Sequence, residues 1–392
     1  MEMEMENVKD SVVQVRRISP NDGRHYYYGY YDNPAFNGDS TKHLCNRTEF
    51  WDRLPDRNDI CELGVFDIAA GEWQAFAQTR AFNFQQGAML QWNPQNPMAE
   101  AIYNIRDGDE YRAVIKNIIT GAERTIPRAV ANISQDGKWG ISINMNRVYD
   151  FRPGYGYSDV RDKFFDIPQP EQDGIFVMNM ETGAEKLILS YEEMGRLFKI
   201  DSAEKIVVNH ITFSPNNRRI LFLLRTFPRN GKQWLTGLGT IDCDGSEFYL
   251  MRHMSMASHY HWRDDSHLLI WTDVNNSPGM YILKDRSGEA VRLDPDFFDK
   301  DIHCIYSPDK KYILGDGYPD HDGFRQIYLY NTETGRGIMI LRVKSDPVSA
   351  GDIRTDLHNR WSRDGRFISF DSTHEGYRGL YIADLADVIN HY

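Results

Sequence analysis

The stretch "HITFSPNNRRILFLL", residues 210–224, reads as a histidine, a short apolar strand, a Ser-Pro turn and a second apolar strand. Aligned on that turn, "HYHWRDDSHLLIWTD" (259–273), "HCIYSPDKKYILGDG" (303–317) and "HNRWSRDGRFISFDS" (358–372) fall into the same frame. Each has an aromatic residue just before the turn: Phe213, Trp262, Tyr306 and Trp361. Each also carries a histidine four positions before the first turn residue: His210, His259, His303 and His358. Three weaker copies lie upstream, "NPAFNGDSTKHLCNR", "MLQWNPQNPMAEAIYN" and "VANISQDGKWGISIN", with Asn33, Met89 and Val130 at the histidine position.

A second marker recurs between these copies: "DIAAG", "NIITG", "NMETG", "IDCDG", "KDRSG" and "NTETG", each after an apolar strand. A glycine closing such a stretch reads as a tight hairpin, because glycine accepts positive φ. Each unit therefore supplies four strands. Four-stranded units repeating every roughly 40–50 residues are the signature of a β-propeller. The expected fold is all-β: a seven-bladed β-propeller with four-stranded blades, one domain over residues 1–392. The last unit, ending in "LYIADL", lacks a fourth strand, and the alternating "SVVQVRRI" (11–18) is unassigned. Pairing the two closes the ring and removes a sheet edge. A Tyr/Pro-rich insertion at about 146–173 interrupts the period.

Composition narrows the function classes. The chain is 26% charged with a formal net charge of −12, which argues against nucleic acid or an anionic membrane as partner. Any anionic ligand must meet a local cluster of positive groups. Cys45, Cys61, Cys243 and Cys304 form no CxxC pair, so a zinc knuckle or redox motif is not expected. The start, "MEMEMENVKD", is acidic without an apolar core, and no later run is long enough to span a bilayer. The expected location is the cytoplasm, or the periplasm if a leader was removed. No Walker, GxGxxG or GxSxG motif occurs, so no organic cofactor is expected.

The inner strand of a propeller blade begins near one mouth of the central channel, so equivalent histidines gather there. Repeats also duplicate residues merely to hydrogen-bond a strand start. Four histidines in register, absent from the other three copies, favour chemistry. Imidazole is a metal ligand and a base near neutral pH. "RPGYGY" puts Arg152, Tyr155 and Tyr157 on the insertion, and "NFQQGAMLQW" puts Gln85 and Gln86 ahead of an inner strand. Both sets are candidate substrate contacts. "GDGYPDHDG", with Asp316, Asp320 and Asp322, lacks the register of an EF-hand and reads as a solvated turn.

With "NHITFSP", "SHYHW", "DLHNRWSRDG" and "LYIADL", the chain resembles the oligogalacturonate lyases, seven-bladed propellers that cleave pectin-derived uronate oligomers. The resemblance implies β-elimination assisted by a divalent metal such as Mn, with Ca and Zn as other choices, and an acidic oligosaccharide as substrate. It implies that His303 and His358 are metal ligands, that His259 is the catalytic histidine and that Arg225 matches an active-site arginine. Where the family has another histidine ligand this chain has Asp356, and where it has a glutamine ligand the chain has Ile353. "RPGYGY" and "HYYYGYYD" also depart from the family and point to a sister family with another uronate substrate, such as rhamnose capped on glucuronate.

Elimination beside a carboxylate needs that carboxylate neutralised, the α-proton taken by a base, and a proton given to the leaving oxygen. Arg225 or a metal suits the first task. His210 or His259 suits the second, and Tyr155 the third. The alternatives are a non-catalytic binding propeller of the TolB type, and a glycoside hydrolase, which needs a carboxylate pair across its pocket.

Overall fold

The computed structural model describes residues 7–158, 160–228, 233–346 and 351–391. Residues 1–6 of the acidic start and 229–232 of the loop after Arg225 lie outside the described residues. Among the described residues there are seven antiparallel sheets, six of four strands and one of five, following one another along the chain except for two N-terminal strands that join the last two. This is the architecture of a seven-bladed β-propeller. The chain divides into two compact units. One comprises the residues up to Tyr103, Lys116–Glu123 and those from Ile302 onward; the other comprises Asn104–Ile115 and Arg124–Asp301.

The repeated turn has one construction. In four blades a serine hydroxyl donates to an Asp or Asn two residues on and accepts the backbone N–H five residues on. The serines are Ser134, Ser214, Ser307 and Ser362. One side chain thereby fixes both the turn and the register of the strand that follows. The hairpins are just as uniform. The N–H of Gly71, Gly121, Gly183 and Gly335 returns to the carbonyl of Asp67, Asn117, Asn179 and Asn331, and all four glycines have positive φ. The expectation fails at "KDRSG", where Arg286 rather than Gly288 takes the left-handed conformation, with φ 55°.

The last blade is completed as expected. Val15–Arg17 pairs antiparallel with Gly379–Asp384, Val15 opposite Ala383 and Arg17 opposite Tyr381. Arg17 also bonds Glu375 at 2.5 Å. A feature the periodicity does not contain is a fifth strand: Val8–Lys9 pairs with Arg342 and Val343 on the outer edge of the preceding blade. The insertion opens with a helix, Met145–Phe151, capped by the side chain of Asn144. Arg147 on that helix is fully buried, paired with Asp162 at 3.2 Å and donating to the carbonyl of Ile206 at 2.7 Å. These bonds fasten the insertion to the strand Ile206–Phe213. Each unit has its own apolar core: Leu314, Ile327, Leu341 and Phe370 lie in the first, and Leu221, Leu223, Trp262 and Ile270 in the second.

Candidate functional site

In the first unit the register of one blade builds half of a polar cluster. His303 opens the strand His303–Tyr306 and lies directly opposite Asp316, the last residue of Tyr312–Asp316. Opposed residues share a face, and His303 Nδ1 donates to Asp316 Oδ2 at 3.1 Å. The other half precedes the strand Arg360–Trp361. His358 has φ 42°, a left-handed backbone that a β-carbon disfavours, and its Nδ1 donates to the carbonyl of Gly29 at 3.0 Å. Gly29 is required there: its φ is 130°, and a β-carbon on it would lie 2.7 Å from the carbonyl oxygen of Gln86.

With both Nδ1–H groups committed to acceptors, the lone pair of each imidazole in its neutral form is on Nε2. The rings meet edge to face with centroids 4.5 Å apart. Ligand-capable atoms of His303, Asp356 and His358 all lie within 4.8 Å of one another, and all three side chains are buried. His358 Nε2 is buried without a hydrogen-bond partner among the described residues. Asp356 lies between two guanidiniums, Arg325 at 2.9 Å and Arg354 at 2.8 Å. Tyr30 packs on His358 at 5.0 Å and Tyr31 on His303 at 5.4 Å.

The electrostatics separate the two imidazoles. Burial opposes a charge on His303, but Asp316 and then Asp356 raise its pKa above the ordinary value. Burial, and then the charge of His303, push His358 well below the ordinary value and keep it neutral. Burial works against the Asp356 carboxylate too, yet Arg354 and Arg325 hold it ionised and far below the usual carboxylate range. Two imidazoles and an ionised carboxylate, converging with the histidine tautomers fixed from behind, fit a divalent cation.

The second unit holds most of the remaining candidates. His210 follows a bulge in the strand Ile206–Phe213 and stacks on Tyr260 with centroids 4.2 Å apart. His259 Nδ1 bonds Asp301 Oδ1 at 3.0 Å. Arg225 lies opposite Val207 on the next strand. Its guanidinium is 5.8 Å from the ring centre of Trp234, and that of Arg152 is 5.6 Å from the same ring. Arg152 also lies over Tyr155 at 4.2 Å. Arg225 and Arg152 are thus brought to one indole, with Tyr155 against Arg152.

Tyr157 is instead a packing residue. It is fully buried against Tyr111, and its hydroxyl accepts from Asn104 at 2.9 Å. Gln85, in the first unit, is also fully buried, and its amide donates to the carbonyl of Arg354 at 2.7 Å. It braces the loop that carries Arg354. Gln86 is buried with its backbone carbonyl against Gly29.

The acidic stretch splits in two. Asp320 and Asp322 do form a turn, with Asp320 capping the N–H groups of Asp322 and Phe324 and pairing with Arg342. Asp316 is not solvated: it is fully buried behind His303. Sequence reading also missed Arg325, Arg354, Asp301, Gly29 and Trp234. Strand pairing could have found Asp316, since it stands opposite a histidine. Nothing in the sequence marks Gly29.

No family model matches the sequence. No curated protein matches it either. Solved structures do match. An oligogalacturonate lyase in complex with manganese is 16% identical and superposes with a TM-score of 0.68, covering 96% of this chain and 94% of that one. An oligogalacturonate lyase from Vibrio parahaemolyticus gives the same identity and TM-score over 96% of this chain and 95% of that one. Hydrazine synthase from Kuenenia stuttgartiensis is 11% identical with a TM-score of 0.50, over 90% of this chain and 97% of that one. The chain shares their fold. The family resembled at the histidine motifs is therefore among the structural neighbours of the whole chain. At these identities the likeness is one of architecture, and function has to be argued from the site.

Proposed function

We propose that the protein is a carbohydrate lyase that cleaves a uronate-containing oligosaccharide by β-elimination. The observation that carries this reading is the convergence of His303, Asp356 and His358, each histidine held by an acceptor on its far nitrogen. These three residues would hold a divalent cation, and two imidazoles with one carboxylate suit Mn or Zn better than Ca. A cation bound there would supply charge neutralisation for an anionic group of the substrate. The resemblance to solved oligogalacturonate lyases, one of them in complex with manganese, supports the same reading.

The chain's own residues supply the proton transfers. In this proposal His259 is the base. Asp301 on its Nδ1 favours the tautomer whose Nε2 takes the α-proton, and it stabilises the imidazolium that results. The electron pair of the broken C–H bond becomes the new C=C bond, and the bond to the leaving oxygen breaks. Tyr155 is assigned the proton for that oxygen, Arg225 the substrate carboxylate, and His210 a base or hydrogen-bonding role. Arg152 contacts the substrate.

The test is the ultraviolet absorbance of unsaturated uronates, followed over a panel of uronate-containing glycans. Removal of a general base lowers the rate by about 10²–10⁴. His259→Ala is expected to lose turnover by that factor while keeping its melting temperature. Wild-type turnover in folded His259→Ala would reject His259 as the base. A protein that binds uronates but never releases an unsaturated product would be a binding propeller.

A further inference from the structure

In the second unit the aromatic and basic residues of the insertion and of the loop after Arg225 meet at one ring. Trp234 is 37% exposed. Phe151 and the indole meet edge to face, with centroids 5.5 Å apart and 73° between planes, and Phe151 in turn meets Phe227 at 5.3 Å. The indole is thus held by packing although much of it faces solvent. The guanidiniums of Arg152 and Arg225 both lie within 6 Å of its centre, and Tyr155 stands behind Arg152.

We infer that Trp234 is a stacking platform for an acidic sugar, with Arg152 and Arg225 reading the carboxylate. An indole face accepts the apolar C–H face of a pyranose. A planar guanidinium matches a carboxylate with two parallel hydrogen bonds, a geometry that an ammonium does not offer. The combination selects uronate over neutral hexose: both stack, and only the uronate pairs. The acidic-sugar class rests on the lyase reading; Trp234 as the platform and Arg152 as the selective residue are added to it. Trp234 is a binding residue here and has no part in proton transfer.

The experiment is calorimetric titration of wild type, Trp234→Ala, Trp234→Phe and Arg152→Gln. The probes are a galacturonate trimer, a glucuronate-capped disaccharide and a neutral glucose trimer. Melting temperatures confirm that each variant is folded. Trp234→Ala is expected to weaken the better acidic probe about tenfold, and Trp234→Phe, which keeps an aromatic face, by much less. Arg152→Gln is expected to weaken the acidic probes and leave the neutral one unchanged. In turnover, Trp234→Ala raises KM with little change in kcat, as loss of uniform binding does. If wild type binds an acidic probe and folded Trp234→Ala binds it equally well, the platform is wrong and the lyase reading survives. If wild type binds an acidic probe through Trp234 without cleaving it, the platform stands and the lyase reading falls. Binding of no acidic probe by wild type overturns both.

Discussion

His358 carries two constraints at once, a left-handed backbone and a hydrogen bond from Nδ1 to the carbonyl of Gly29. Strain of this kind persists only where the surroundings hold it, and it gathers at functional sites. Gly29 supplies the hold through a backbone and a close approach that only glycine tolerates. Gly29→Ala is therefore expected to cost about 1–3 kcal/mol of stability. It should also weaken divalent-cation binding, read as the rise in melting temperature on adding manganese; an unchanged rise would separate Gly29 from the cluster. Asp356→Asn is expected to be more severe. It breaks the buried pair of Asp356 with Arg325 and the partly buried one with Arg354, and breaking a buried pair costs about 3–5 kcal/mol. Stability comparable to wild type would show that the pairs contribute little. At this scale the sequence revealed His303 and His358 through their register. It hid what orients them, because Gly29 and Gln85 are distant in the chain and only the fold brings them in. Tyr157 misled for the opposite reason: a loop tyrosine beside a glycine looks available, yet its ring fills the core.

The elements were the most legible level. Serine at the turn and Asp or Asn two residues later recur because that pair makes the same two hydrogen bonds in four of the blades, so the local motif and the architecture agree. Closure by the N-terminal strand was legible because a blade with three strands needs a fourth. The strand Val8–Lys9 was not, since two residues carry no period. Deletion through Ile18 removes both strands and exposes the edge Gly379–Asp384 together with the edge at Arg342 and Val343. The truncated protein is expected to melt at a lower temperature and to aggregate at concentrations where the full chain does not. A truncated protein with the parent's melting temperature and monodispersity would show that neither pairing stabilises the fold.

For the molecule as a whole, three histidines outside the metal candidates contribute to the response to acid. Burial, then Arg360, pushes His43 down to about 3; burial pushes His374 to about 4; burial, then Arg378, pushes His25 to about 4. All lie below the ordinary 6.5, so the unfolded chain binds more protons than the folded one once the pH falls below 6.5. Stability is therefore kept above pH 6.5 and lost as the pH falls towards 4, by about 1.4 kcal/mol per pH unit for a fully buried histidine. His43 bonds the Leu44 carbonyl and Ser369, and His43→Gln is expected to flatten the slope of melting temperature against pH; an unchanged slope would exclude His43 from the acid response. Under the proposed function the net charge of −12 also bears on the guanidiniums near Trp234, because an acidic chain binding an acidic glycan must concentrate its cations locally. The measurement that tests the central claim most directly is the release of unsaturated product from a panel of uronate glycans by wild type, with manganese and after chelation. The account predicts product with manganese, its loss on chelation, and recovery when manganese is restored. Product formed equally well after complete removal of divalent metal, or no unsaturated product from any uronate glycan, would contradict it.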